Sequence, residues 1–168
     1  KWISETDKGM YDAINKGIMM ATGDIIGILN SDDMLDTDDV ISCIVKAFEE
    51  QQTDAVYGDL EYVDAKDTNK VLRIWKGRPY KRYRFRYGWM PAHPTFYIKR
   101  SLIEKYGFYQ NHYYTAADYE FMARYLYFNK ISPISQKIVF LFIILLIFIL
   151  CSCVLFSSPC RIYLSFIS

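Results

Sequence analysis

Asp32 and Asp33 stand side by side just beyond an apolar run, Ile25-Ile26-Gly27-Ile28-Leu29, with Asn30 and Ser31 between. Unpaired charge is costly to bury, so carboxylates at the end of a strand need a partner, and a divalent cation is the most economical one. Carboxylate oxygen is the hard donor that Mg²⁺ and Mn²⁺ take, and two carboxylates leave coordination positions open for phosphate. Acidic residues also gather where a helix begins, so the pair reads equally as a helix-entry turn. Asp118 lies where a later helix is expected to start and is a candidate proton acceptor or a helix cap. His93, between Ala92 and Pro94, reads as a contact to phosphate, acceptor or metal, or as a structural histidine. From Arg78 to Arg86 basic and aromatic residues interleave. That run suits a grip on nucleic acid or a phosphorylated ligand, or a solvated loop or edge strand with snorkelling side chains.

The elements that must hold these groups alternate. Met10, Tyr11, Ile14, Ile18 and Met19 recur at helical spacing, which predicts a helix from Met10 to Thr22 stopped by Gly23 in a left-handed cap. Ile25–Leu29 reads as a buried parallel strand. Asp36, Thr37 and Asp38 offer amino-caps to a helix with Val40, Ile41, Ile44, Val45 and Phe48 on one face. Ala55–Val63 and Val71–Trp75 read as a hairpin around the polar turn Asp64–Asn69. Pro91–Lys99 reads as a strand, Ser101 as the cap of a short helix ending at Gly107, and Asp118–Tyr127 as a helix burying Tyr119, Met122 and Leu126. This order indicates an α/β layered sandwich, in which ligands bind beyond the carboxyl ends of strands, where Asn30 to Asp33 lie.

The stretch Trp2-Ile3-Ser4-Glu5-Thr6-Asp7-Lys8-Gly9-Met10-Tyr11-Asp12-Ala13-Ile14-Asn15-Lys16-Gly17 resembles the family 2 glycosyltransferases of the GT-A fold. In that family a Ser-Glu-Pro-Asp-Lys-Gly-Ile-Tyr-Asp-Ala-Met-Asn-Lys-Gly stretch precedes a strand ending in Asn-Ser-Asp-Asp; Thr6 here replaces the usual proline. Two further blocks match in order, Pro91-Ala92-His93-Pro94-Thr95-Phe96-Tyr97-Ile98-Lys99-Arg100 and Ala116-Ala117-Asp118-Tyr119-Glu120-Phe121-Met122, so that the resemblance covers about residues 1–129. It implies a GT-A-like three-layer sandwich with a mixed sheet, lacking its first strands at the amino-terminal side. The implied activity is transfer of a sugar from a nucleotide-sugar donor, a UDP-sugar above all, to the hydroxyl of a glycan or lipid-linked acceptor, with inversion, in cell-surface polysaccharide or glycan synthesis. Carried over by position, Asp33 ligates Mn²⁺ or Mg²⁺ and Asp32 binds the ribose or the same metal. Asp118 is the catalytic base, His93 and Glu120 touch acceptor or phosphate, and Asp7, Lys8, Gly9, Asp12, Asn15, Asn30 and Ser31 line the donor. Asp12 and Lys16 are also explained by a solvated helix face. Two other readings use the same residues: an inactive membrane-associated remnant, and a nucleotide-sugar hydrolase or pyrophosphorylase that needs no Asp118 base.

The 168 residues carry a net charge of +1 and a hydrophobic fraction of 52%, enough for one sizeable core and with no excess of basic charge to favour nucleic acid. Of the four cysteines, Cys43 reads as a small apolar helix residue and three lie in the tail; no paired Cys-x-x-Cys motif predicts structural zinc. The expected division is a partial transferase domain over 1–130 and an apolar tail over 131–168. Within the tail, Ile138–Phe156 is 19 uncharged residues, long enough for a membrane-spanning helix. Lys130 and Lys137 before it and Arg161 after it give a weak bias that places the enzyme on the cytoplasmic face of a membrane, or in the cytoplasm if the tail is no true span. The tail's narrow palette of Phe, Ile, Leu, Ser, Cys and Val also fits a shifted reading frame.

Overall fold

The computed structural model describes residues 5–30, 33–113, 116–144 and 163–167. Three layers form: helices α1 (Met10–Met20), α3 (Arg100–Tyr106) and α4 (Ala117–Met122) on one side of a mixed sheet, and α2 (Val40–Gln51) on the other. The sheet runs in the order β2 (Asp33–Leu35), β6 (Pro133–Ile144), β3 (Ala55–Asp64), β5 (Tyr97–Lys99), β1 (Ile25–Leu29), β7 (Tyr163–Ile167). Strand β4 (Asp67–Trp75) pairs with the far half of β3, beyond its short contact with β5.

Period-two alternation in the strands explains the layering. Ala55 and Tyr57 of β3 belong to the core under α1 and α4, whereas Val56 and Leu60 belong to the core under α2. The chain entering β5 divides likewise, Phe96 and Ile98 belonging to the core under α1 and Tyr97 to the core under α2. Helix α2 contributes Val40, Ile44, Ala47 and Phe48, the stripe its spacing predicts. Helix α4 runs on through π-helical turns over Ala123–Phe128 and buries Phe121, Met122, Tyr125 and Leu126.

Several expectations need correction. Helix α1 stops at Met20, because Ala21 turns extended and buries its side chain in the core; Gly23 is no left-handed cap and instead accepts a hydrogen bond from Arg100 Nε at 2.8 Å. β1 is buried but not flanked by parallel neighbours: its described partners, β5 and β7, are both antiparallel. Only Tyr97–Lys99 of the segment from Pro91 is strand, since His93–Thr95 forms a 3₁₀ turn around Pro94. Lys99, not Ser101, precedes α3, and Asp39 precedes α2 without a side-chain cap bond. The basic–aromatic run is loop over 78–81, as one reading expected, and folds as a 3₁₀ helix over Arg82–Tyr87. Cys43 lies on α2 but is exposed.

The expected carboxyl-terminal apolar helix is not found over 138–144. From Pro133 to Ile144 the chain is strand β6, parallel to β3 with Ala55 opposite Pro133 and Asp64 opposite Ile144, and its Ile138 and Phe140 pack beneath α2. A continuous apolar run suits a strand covered on both faces as well as it suits a helix, and the sheet decides between them. Among the described residues no helix is long and apolar enough to cross a membrane; positions 145–156 of the expected span lie outside them.

Candidate active site

Three segments distant in sequence converge on Asp118. Tyr11, on the first turn of α1, donates its hydroxyl to Asp118 Oδ2 at 2.9 Å, and His93 Nδ1 lies 4.0 Å from the same oxygen. Asp118 sits in the first turn of α4, where the helix dipole favours its charge. Burial, and next the charge of Asp118, push the Tyr11 phenol well above its ordinary value, so it stays a protonated donor. The Tyr11 ring is itself stacked on Tyr109, centroids 5.5 Å apart, and Tyr109 stacks on Phe121 of α4 at 4.1 Å. The turn that carries His93 is tied to β3 by the buried Thr95, whose hydroxyl donates to Ala92 O and accepts from Gly58 N. The arrangement offers a hydrogen-bonded carboxylate on the edge of solvent, with a half-exposed imidazole beside it.

The other expected site residues fall into separate groups. Gly9 opens α1 with φ at 127°, a region that favours glycine, and Lys8 N donates to Asp12 Oδ2 at 3.0 Å. Lys16 reaches back to Asp7 and Glu5, each at 2.7 Å, and to Asp12 at 3.4 Å. Those carboxylates raise the Lys16 ammonium, while the Lys8 backbone N–H, first among several causes, lowers Asp12. Asn15 is engaged by the backbone of Tyr109, donating to its carbonyl at 2.9 Å and accepting from its N–H at 3.0 Å. Glu120 takes two bonds from Arg124, both 2.8 Å, and that guanidinium also donates to the carbonyls of Tyr106, Gly107 and Phe108. In this conformation Asn15 and Glu120 therefore hold the 106–111 loop against the helices that carry Tyr11 and Asp118.

Asp33 opens β2. Its Oδ2 accepts from Asn30 Nδ2 at 2.6 Å and from Asn30 N at 3.3 Å, and the residue is buried. The Tyr97 hydroxyl is buried without a hydrogen-bond partner among the described residues; burial, then the charge of Asp33, raises that phenol. Ser31 and Asp32 lie outside the described residues. Among the described residues no cluster of three or more His, Cys, Asp or Glu could cage a metal. The donor chemistry nevertheless fits an ion such as Mg²⁺, which takes one or two carboxylates and leaves its other positions to phosphate and water.

Tyr11, Tyr109 and Arg124 were not marked by any motif of reactive residues. Tyr11 reads in the sequence as one more apolar position on the helix, and only its 107-residue reach to Asp118 gives it a polar task. Arg124 carried one local signal, its four-residue spacing from Glu120 on a helix.

The chain is similar to known glycosyltransferases. The profile of the family described as Glycosyl transferase family 2 matches residues 3–113. A PGL/p-HBAD biosynthesis glycosyltransferase of Mycobacterium bovis (strain BCG) is 32% identical over 121 residues, covering 71% of this chain and 44% of that protein. An uncharacterized glycosyltransferase of Mycobacterium tuberculosis is 30% identical over 127 residues, covering 73% and 46%. The chain thus spans less than half the length of these curated relatives.

Proposed function

The chain belongs to glycosyl transferase family 2, and from that premise we propose that the protein moves a sugar from a nucleotide-sugar donor to an acceptor hydroxyl with inversion at the anomeric carbon. The observation that carries the proposal is Asp118, placed at a helix start by Tyr11 and flanked by His93. Asp118 accepts the acceptor's hydroxyl proton as that oxygen bonds to the anomeric carbon. The bond from that carbon to the donor's diphosphate oxygen breaks, and the nucleoside diphosphate leaves with the electron pair. His93, half-exposed at the same opening, is placed to contact the acceptor or the diphosphate. Lys8, Asp12 and the turn Asn30–Asp33 line the donor side.

Asp33, with Asp32, would hold a Mn²⁺ or Mg²⁺ ion whose charge offsets that growing on the departing diphosphate. A UDP-sugar donor, a glycan or lipid-linked acceptor, and a place in cell-surface glycan synthesis on the cytoplasmic side of a membrane complete the reading.

Two measurements test it. Calorimetry of UDP with Mn²⁺ should show metal-dependent affinity, removed by a chelator and by Asp33→Ala but kept in Asp118→Asn. Transfer from UDP-sugars should fall at least about a hundredfold in Asp118→Asn, the usual share of a general base. Full transfer in Asp118→Asn would remove the base assignment, and no nucleotide binding by the parent chain would favour an inactive remnant.

A further inference from the structure

From Thr68 to Ile103 the chain carries ten basic residues, Lys70, Arg73, Lys76, Arg78, Lys81, Arg82, Arg84, Arg86, Lys99 and Arg100, and no acidic one. Four of the ten pair with carboxylates outside the segment, Lys70 with Asp64, Lys76 with Asp59, Lys99 with Asp54 and Arg100 with Glu104, so in a protein of net charge +1 the positive excess rests with the run Arg78–Arg86. Its central piece is the 3₁₀ helix Arg82–Tyr87, pinned by buried Phe85 and by the carboxyl-terminal end of the α4 extension. Arg82 donates from Nε to Tyr127 O at 2.7 Å and lies over the Tyr127 ring at 4.7 Å; Arg86 Nε donates to the Tyr127 hydroxyl at 2.9 Å. Each bond uses one of five guanidinium N–H groups, and both arginines are exposed. Around these cations stand Tyr83, Tyr87 and Phe128, exposed by 55%, 83% and 69%, with Phe128 against Tyr127 at 5.1 Å. Lys81 and Lys130 are exposed beside them.

A face that holds arginines rigidly among outward aromatic rings combines the two terms of interfacial binding, attraction to anionic headgroups and burial of rings at the headgroup level. The geometry points to this face, Arg82–Tyr87 with Tyr127–Lys130, as the surface by which the protein docks on a bilayer containing anionic lipid. Single-stranded nucleic acid would also use cations and rings, but strand β4, which precedes the run in the chain, exposes Val71, Leu72 and Ile74, aliphatic side chains with no π face for bases. Lipid accepts all of them. The inference is independent of sugar transfer, because none of these residues belongs to the candidate site.

Sedimentation of the full chain with phosphatidylcholine vesicles, with and without phosphatidylglycerol, tests it. The protein should partition onto the anionic vesicles and be released by raised salt. Arg82→Gln with Arg86→Gln should lower the partition about 25-fold, about fivefold for each charge removed. Lys81→Gln with Tyr87→Ser, which touches no buried residue, should also lower it, and circular dichroism confirms that each variant is folded. Equal partition onto neutral vesicles would overturn the proposal, since the apolar tail alone could insert there. So would unchanged binding in both folded variants, or tighter binding of a short single-stranded oligonucleotide than of the anionic vesicles.

Discussion

At the scale of single residues, the hydroxyl of Tyr11 is the contact on which the geometry of Asp118 depends. Tyr11→Phe keeps the ring stacked on Tyr109 and removes only the donor. A hydrogen bond to a charged acceptor contributes about 1.5–3 kcal/mol, and the partial exposure of Asp118 puts the loss near the lower end. Under the transferase reading the variant should also lose about ten- to a hundredfold in kcat, because a displaced base no longer meets the acceptor oxygen. Steady-state kinetics beside urea denaturation separates the two effects, and wild-type values for both would show that Tyr11 does not orient Asp118. Asp118 and His93 could be given a task from their motifs, whereas Tyr11, which also stands in a matching block, could not. An aromatic residue on a helical stripe looks the same whether its hydroxyl ends in solvent or on a carboxylate 107 positions away.

At the scale of elements, β1 and β5 pair Ile25 with Lys99 and Ile26 with Ile98, and Gly27 makes room beside them for the Tyr97 ring. A Cβ on Gly27 would lie 2.1 Å from the Tyr97 ring, so the ring lies where a side chain would otherwise stand. Gly27→Ala should therefore destabilise by about 1–3 kcal/mol or more, as overpacking does. Adding Tyr97→Leu should recover part of that loss, a coupling a double-mutant cycle in urea would register. Additive losses would show that the ring moves aside freely. Because β1 leads into the Asn30–Asp33 turn, the double variant also tests whether the strand must sit at this spacing for metal-dependent nucleotide binding. Helix α2 and strand β3 were legible from periodicity. The 3₁₀ turns at 82–87 and 93–95 were not, since they are set by what Phe85 and Thr95 pack against rather than by any local repeat.

At the scale of the whole molecule, an unusual share of the core is phenolic. Tyr11, Tyr57, Tyr80, Tyr97, Tyr109 and Tyr125 are all raised chiefly by burial, Tyr57 to about 12. Their folded values exceed the unfolded value of about 10, so the unfolded chain releases protons first and stability falls as pH rises. The contribution is intact below about pH 10 and is lost as pH climbs through the folded values. Urea midpoints should stay level to that point and then drop, with phenolate absorbance from these rings appearing together with unfolding; complete ionisation ahead of the loss of structure would contradict their burial. The sequence by itself determined the alternation of helices and strands, the apolar stripes and the order of the three matching blocks, because those are local or linear properties of the chain. Only the tertiary structure decided that the apolar segment from Pro133 becomes a strand beside β3, that Asn15 and Glu120 are engaged by the 106–111 loop and Arg124, and that Tyr11 meets Asp118. Each of those depends on which partner satisfies a buried polar group or covers an apolar face, and the partner stands far away along the chain.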